Sequence, residues 1–324
     1  MRKVLFLIII IATFWACEDK KNDKGLLPDS SGRINNINII VSNELWEGEI
    51  GEVLRKNLAS EVEGLPQQEP LFTINQMPAA AFKDFARNNR TFLKIDKSKQ
   101  TSFTVVKDTF AKPQTGIFIT GQNVSEIVNN INTHKDKIIR NFKAAEIAEQ
   151  QRRILKSLKK DDQLEENLGV SLKFPTAYRY AKNEKDFFWI RKDIPNGSME
   201  ILVYEVPFSV IEKDTNIVGN IIKMRDSIGK KFIPGPNEDS YLATEKAFAP
   251  YLFETTIDGK FAYETKGVWD VRNAFMAGPF INYAVKDKAN NRYVILEGFV
   301  FKPSATKRDN VFELEAILKS AKIN

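Results

Sequence analysis

Apolar and polar positions divide the chain into short strands and a few helical stripes. INNINIIVS (34–42) has strand character. Asn43 is placed to cap a helix from Glu44, because Trp46, Ile50, Val53, Leu54 and Leu58 then fall on one apolar stripe. After the loop GLPQQEP (64–70), LFTINQM (71–77) reads as a strand, and Pro78 opens a short helix over AAAFKDFARN. TFLKID, TSFTVVKDTF and TGIFITG are three further strands. NVSE (123–126) is a capping box, with Asn123 as cap and Glu126 at the third helical position. It opens a long helix with Ile127, Ile131, Ile138, Phe142 and Ala145 on one face, predicted to reach Lys160. That order predicts an α+β subdomain with a mixed or mainly antiparallel sheet.

The second half is richer in strands. GVSLKFP, DFFWIRKD and SMEILVYEVP are strands, the last two joined across Pro195, Asn196 and Gly197. NIVGNIIKMRDSIGKKF (216–232) is an amphipathic helix. KFAYETKGVWDV, FINYAVKD and RYVILEGFVF are strands, the last two joined by KANN, and RDNVFELEAILKSAK closes the chain as a helix. The polar run KKDDQLEENLG (159–169) marks a boundary. The expected fold class is α+β. One subdomain spans 31–160 and a second, antiparallel one spans 168–322, with a long helix linking them. The second pattern resembles the α/β/α sandwich of the PsbP and Mog1 type.

The first thirty residues follow different rules. Met1, Arg2 and Lys3 precede the apolar run VLFLIIIIA, which is too short for a bilayer span of roughly 20 residues and has the proportions of a secretory leader. Ala16 stands just before Cys17, the only cysteine, and the chain then turns polar with EDKKNDKG. This arrangement resembles a bacterial lipoprotein signal over 1–16, with Cys17 lipidated, by palmitate among other chains, and Phe14 where that pattern has leucine. Two or three acyl chains anchor stably where one binds only marginally. A plain secretory leader and an uncleaved anchor are the alternatives. Glu18 and Asp19 resemble the surface-export signal of Bacteroidetes-type lipoproteins, and residues 17–30 read as a tether. The expected location is the cell envelope, at the outer membrane, on its periplasmic or surface side.

Four stretches carry a resemblance to one family: GLPQQEPLF (64–72), MRDSIGKKFIPGPNEDSY (224–241), GVWDVRNAFMAGPFINYAV (267–285) and KRDNVFELEAIL (307–318). With SGRINNINIIVSNELWEGEIGEVLR they are similar to a Bacteroidetes lipoprotein family known only as a domain of unknown function (DUF4837-like), over about residues 28–320. The resemblance implies an envelope lipoprotein and supplies no catalytic residues. Ala277 departs from it, where glycine is expected.

Candidate chemistry is sparse. His134, the only histidine, sits among polar neighbours on the long helix, whereas a serine triad needs its imidazole in a cleft. With one histidine and no thiol in the exported part, the usual zinc sites are excluded; no calcium loop and no phosphate-cradling glycine loop occurs. No cofactor is expected. ELWEGEIGE (44–52) holds four glutamates, read as first-turn acids at the positive end of a helix dipole rather than as catalytic carboxylates. SIGK and SLKK match a serine–lysine pattern without its companion motifs. Residues 134–160 hold nine Lys or Arg against three acids, an excess of +6, while the chain without residues 1–16 carries +4. This basic helix is read as a solvated face, with anionic headgroups or an acidic polysaccharide as the alternative; nucleic acid is not an expected partner.

The candidate binding surface is a pair of loops, IPGPNEDSY and FMAGPF, stiffened by Pro234, Gly235, Pro236, Gly278 and Pro279. The residues to carry it are Arg225, Asp226, Asn237, Ser240, Tyr241, Trp269, Phe275 and Phe280, if the loops meet in one groove and Tyr241 lies near Phe280. The alternative is that they only fasten a helix to the sheet. Three functions stay open: a non-catalytic envelope lipoprotein binding a protein or glycan, a carboxylate hydrolase, and an assembly component of an envelope machine.

Overall fold

The computed structural model describes residues 27–324, so the expected signal segment 1–16, Cys17 and most of the expected tether lie outside the described residues. Alternating apolar residues build β1 (Asn36–Ile40), β2 (Thr73–Met77), β3 (Thr91–Lys97), β4 (Ser102–Lys107) and β5 (Thr115–Gly121) into one sheet ordered β2-β1-β3-β5-β4. The sheet is mixed, and three of its four pairings are parallel. A parallel neighbour needs a crossover. Helices α1 (Asn43–Glu47) and α2 (Glu49–Leu58) supply the one between β1 and β2.

Two local expectations are corrected here. The cap is Ser42, not Asn43: its Oγ accepts from Leu45 N at 3.4 Å, and Gly48 breaks the stripe into two helices. AAAFKDFARN forms two 3-10 turns, Ala79–Ala81 and Asp84–Asn88, and Asp84, which opens the second, adopts φ +48°, outside the helical region.

Helix α3 (Val124–Ile154) starts at the predicted cap: Asn123 Oδ1 accepts from Glu126 N at 3.0 Å, while Glu126 reaches back past the cap to Gln122 N at 3.0 Å instead of to Asn123 N as in a full capping box. It buries Ile127, Ile131, Ile138 and Phe142 in the first core. At its far end Ile154 enters the core of the second unit. The α-helix stops six residues short of Lys160 and yields to a 3-10 turn, after which Leu158 bridges Pro175. Ala145, expected on the apolar face, is half-buried; Glu146 and Glu149 are buried beside it. Arg90, itself buried, makes this tolerable by donating to both Glu146 oxygens at 3.0 and 2.9 Å.

The second unit is an antiparallel sheet of β7 (Arg179–Glu184), β8 (Phe187–Ile194), β9 (Gly197–Pro207), β10 (Tyr241–Thr244), β11 (Tyr251–Ile257), β12 (Lys260–Arg272), β13 (Ala277–Asp287) and β14 (Arg292–Phe301). Its order is β10-β12-β13-β14-β9-β8-β7, with β11 also on β12. GVSLKFP contracts to β6 (Val170–Ser171), which pairs with β15 (Lys322–Ile323). The polar run before it contains α4 (Gln163–Leu168), whose Leu164 and Leu168 are buried and which ends at Gly169 with φ +62°. After the short α5 (Phe208–Ile211), α6 (Ile217–Phe232) covers one sheet face, packing Ile221 and Met224 with Leu202, Ala284 and Ile295. Helix α7 (Arg308–Leu318) covers the other, packing Leu314, Ile317 and Leu318 with Ile281, Tyr283 and Leu296. The unit is therefore helix, sheet and helix in three layers.

The units meet on the α7 side. Glu69, in GLPQQEP, is buried and caps α7 by accepting from Lys307 N and Arg308 N at 2.7 and 2.9 Å. Gly64, at φ +82°, lies so close to β12 that a Cβ would stand 2.8 Å from Lys266 Cβ. Lys143 of α3 pairs with Glu315 of α7 at 2.9 Å.

Candidate ligand-binding groove

Strand register lays out a groove on the α6 face of the second sheet. Arg191, Glu200, Phe299 and Phe280 are successive cross-strand partners on β8, β9, β14 and β13, so they form one row. Ser198 and Phe301 lie in the next row, and Trp269 on β12 faces Gly278 on β13. Gly278 is needed there: a Cβ would sit 2.0 Å from Val300 O and 3.0 Å from Trp269 Nε1. The Trp269 ring packs edge-on to Phe299 at 5.4 Å and lies 6.3 Å from Phe301. Trp189 completes the aromatic set from β8. Trp189, Arg191, Glu200, Trp269, Phe299 and Phe301, with Ile233, Pro234, Gly235, Pro236 and Met276 as the wall, line about 340 Å³; Phe280 lies beneath, outside the lining.

The wall is held by its own turn. Gly235 N donates to Ser240 O at 2.8 Å, Asn237 N donates to Ser240 Oγ at 2.9 Å, and Ser240 Oγ donates to Asn237 O at 2.5 Å. Asn237 Nδ2 then donates to Asn273 O at 2.9 Å. Asn237 thus ties the first predicted loop to Asn273, just before the second, and Pro236 and Met276, one from each loop, line the same groove.

The polar chemistry of the groove centres on Glu200, which is buried. Its Oε2 accepts from Trp189 Nε1 at 2.7 Å, and Arg191 Nε lies 3.7 Å from Oε1. Burial pushes this carboxyl above its ordinary value, against the pull of the Ser198 and Trp189 hydrogen bonds and the Arg191 charge. Trp269 Nε1, also buried, has no hydrogen-bond acceptor in the protein.

The predicted site residues separate into groups. Trp269 lines the groove, and Asn237 and Ser240 shape its wall. Phe275, next to Met276, is fully exposed at 110%. Tyr241 lies outside, in a neighbouring depression with Lys230 and Ser240. The expected meeting of Tyr241 and Phe280 is corrected: Tyr241 opposes Arg272 on β12 while Phe280 opposes Gly267, five residues along that strand. Five residues of strand span roughly 17 Å. Phe280, 1% exposed, is a core residue.

Arg225 is likewise a core residue, not a surface contact. It donates from Nε and Nη2 to Glu297 at 2.8 and 2.7 Å, donates to Thr244 Oγ1 at 2.5 Å, and stacks over Phe280 at 3.5 Å. A buried guanidinium is tolerable only when so paired. Asp226 Oδ1 accepts from Thr244 N at 2.7 Å and fastens α6 to β10. Sequence reading missed Trp189, Arg191, Glu200 and Phe301. An acid inside the apolar run SMEILVY was the available signal.

A second cleft, about 290 Å³, lies at the junction of the units, walled by Leu65, Leu71, Phe72, Val311 and Phe312. Its inner charges satisfy one another: Glu315 holds Lys143 at 2.9 Å and Lys319 at 2.6 Å, and Lys266 pairs with Glu264 at 2.9 Å, while Glu61 and Glu63 at the rim are exposed. Burial alone would raise Glu315; Lys143, Lys319 and Lys266 overcome it and hold the carboxyl well below its ordinary value.

Elsewhere, His134 stacks on Phe103 with centroids 4.2 Å apart, its Nδ1 2.9 Å from Asn130 O. Glu44, Glu47, Glu49 and Glu52 are all exposed. Among the described residues no three His, Cys, Asp or Glu are grouped to hold a metal ion. No described helix is long and apolar enough to cross a membrane.

Comparison with known proteins adds a family. No curated protein matches the chain. Among solved structures, cyanobacterial PsbP (CyanoP) from Synechocystis sp. PCC 6803 is 11% identical, over 52% of this chain and 93% of that one, with a TM-score of 0.32. A likeness of that size carries no argument. Two family profiles match side by side. Residues 30–155 match a domain of unknown function (DUF8532). Residues 157–320, half of the chain, match a second domain of unknown function (DUF4837), and the chain belongs to that family.

Proposed function

We propose that this chain is an exported, lipid-anchored cell-envelope protein that binds a glycan in the aromatic groove without chemical change. One observation carries the reading: half-buried Trp189 and Phe301, backed by buried Trp269 and Phe299, converge with Glu200 and Arg191 in one open groove behind a proline-stiffened wall. Sugar rings present C–H faces to aromatic rings and hydroxyls to charged acceptors and donors, and this lining supplies both. The anchor rests on the leader ending at Ala16 and on Cys17. Neither a cofactor nor nucleic acid enters the reading. Hydrolysis would need a second carboxyl about 5–10 Å from the first. Glu200 is the one carboxylate in the lining.

The assembly reading draws on a different observation. Edge strand β11 exposes Tyr251, Leu252 and Phe253, with Phe248 just before it, and an apolar edge strand is a surface that partners add to.

Titrating envelope polysaccharide fragments while following tryptophan fluorescence tests the groove. Saturable change, fragments recovered intact, and at least tenfold weaker binding by Trp189→Ala are expected. Equal binding by that variant overturns the groove, and cleaved fragments favour the hydrolase. Labelling with a fatty-acid analogue, lost in Cys17→Ala, tests the anchor.

A further inference from the structure

We infer that the face where the chain emerges, around Leu27–Arg33, rests on the headgroup layer of an anionic bilayer. This depends on the lipid-anchored reading and adds to it a second contact made by protein side chains.

Cys17 and Leu27 are ten residues apart, so acyl chains at Cys17 would keep Leu27 within about 35 Å of the bilayer even with the chain fully extended. The emerging segment is fixed to the fold. Lys112 N donates to Pro28 O at 2.9 Å, Ser30 N donates to Lys112 O at 3.0 Å, and Ser31 N donates to Asn88 O at 2.8 Å. On the other flank Arg153 Nη2 donates to Gly32 O at 3.0 Å, which brings the end of α3 alongside. The leash therefore leaves from one defined face.

That face carries large apolar side chains without protein cover. Phe85, in the turn that ends at Asn88, is 88% exposed. Leu155, two residues past Arg153, is 51% exposed, and Leu27 is exposed as well. Exposed cations surround them: Lys83, Arg87 and Lys112 on one flank, and Arg33, Arg152 and Arg153 on the other. The nearby exposed acids are Asp29 and Asp84, and buried Glu149 neutralises part of the Arg152 and Arg153 charge. The balance stays positive. Apolar side chains at the acyl boundary with cations at the phosphates are the interfacial pattern. An acidic polysaccharide would engage the cations but would leave Phe85 in water.

The chain without residues 1–17, which carries every element described above, is sedimented with vesicles of mixed phosphatidylglycerol and phosphatidylcholine, and with phosphatidylcholine alone. Binding to the mixed vesicles, weaker binding to the neutral ones and release by salt are expected. Phe85→Ser and the pair Lys83→Glu with Lys112→Glu should each lower partitioning by about fivefold or more, with thermal melting unchanged because these side chains are exposed. No binding to mixed vesicles, or equal binding by the variants, overturns the inference. So does a result in which only the lysine pair matters and acidic polysaccharide competes. Vesicle binding with Cys17 unlabelled would remove the anchor and keep the face; labelled Cys17 without vesicle binding would remove the face and keep the anchor.

Discussion

The junction cleft and the aromatic groove are of similar size and opposite logic. At the junction the charges withdrawn from solvent have protein partners: Glu315 with Lys143 and Lys319, Lys266 with Glu264, and Glu69 with the first amides of α7. In the groove Glu200 has only Trp189 Nε1 and the Ser198 hydroxyl for hydrogen bonds, with Arg191 Nε 3.7 Å away. Buried polar groups that satisfy each other hold a fold together. Groups left with spare capacity beside apolar rings are equipped for a visitor. The comparison assigns the junction to stability and the groove to recognition.

Glu315→Ala is the harshest test of that division. It removes a buried carboxylate that two half-buried lysines share, and a loss of about 3 kcal/mol is expected in urea unfolding, with binding in the groove intact where the variant stays folded. A loss below 1 kcal/mol would show that the junction charges are not structural. Gly64→Ala should cost about 2 kcal/mol through its positive φ and its contact with β12. Glu69→Ala, which removes the α7 cap, should cost about 1–2 kcal/mol.

Trp189→Ala should reverse the pattern, with binding at least tenfold weaker and stability lowered by less than in Glu315→Ala. Stability against pH then separates the two carboxyls. Glu315 is held down, so its contribution is full above the ordinary carboxylate value and is lost as pH falls below it. Glu200 is pushed up, so between the ordinary value and its raised one the folded protein keeps a proton that the unfolded chain has lost; stability falls as pH rises through that window. Glu200→Gln should flatten this second window alone, the smallest effect of the series, measured by melting temperature across acid pH.

How legible each part was depends on how local its cause is. The cap at Asn123 and the helix over 217–232 act within a few residues and stand where the pattern puts them. Strands β7, β10 and β11 escaped because their residues are polar, few or exposed, and they persist only by pairing with neighbours. Arg225 looked like a surface residue beside Asp226. Its partner Glu297 lies 72 residues away, and no spacing rule links them.

Two distant segments, one in each of the two matched domains, show the same division. GLPQQEP and KRDNVFELEAIL are far apart in the chain, and only the folded junction explains why one carries the glutamate that caps the other. The amino-acid order by itself determined the α+β class, the position of the long helix and the chemistry available, because periodicity and capping are short-range and a single histidine and cysteine restrict what a site can contain. Tertiary structure alone decided which acids and aromatics became core, clamp or groove. Burial, and with it the strength of every charge and hydrogen bond, is set by residues that chain order keeps apart.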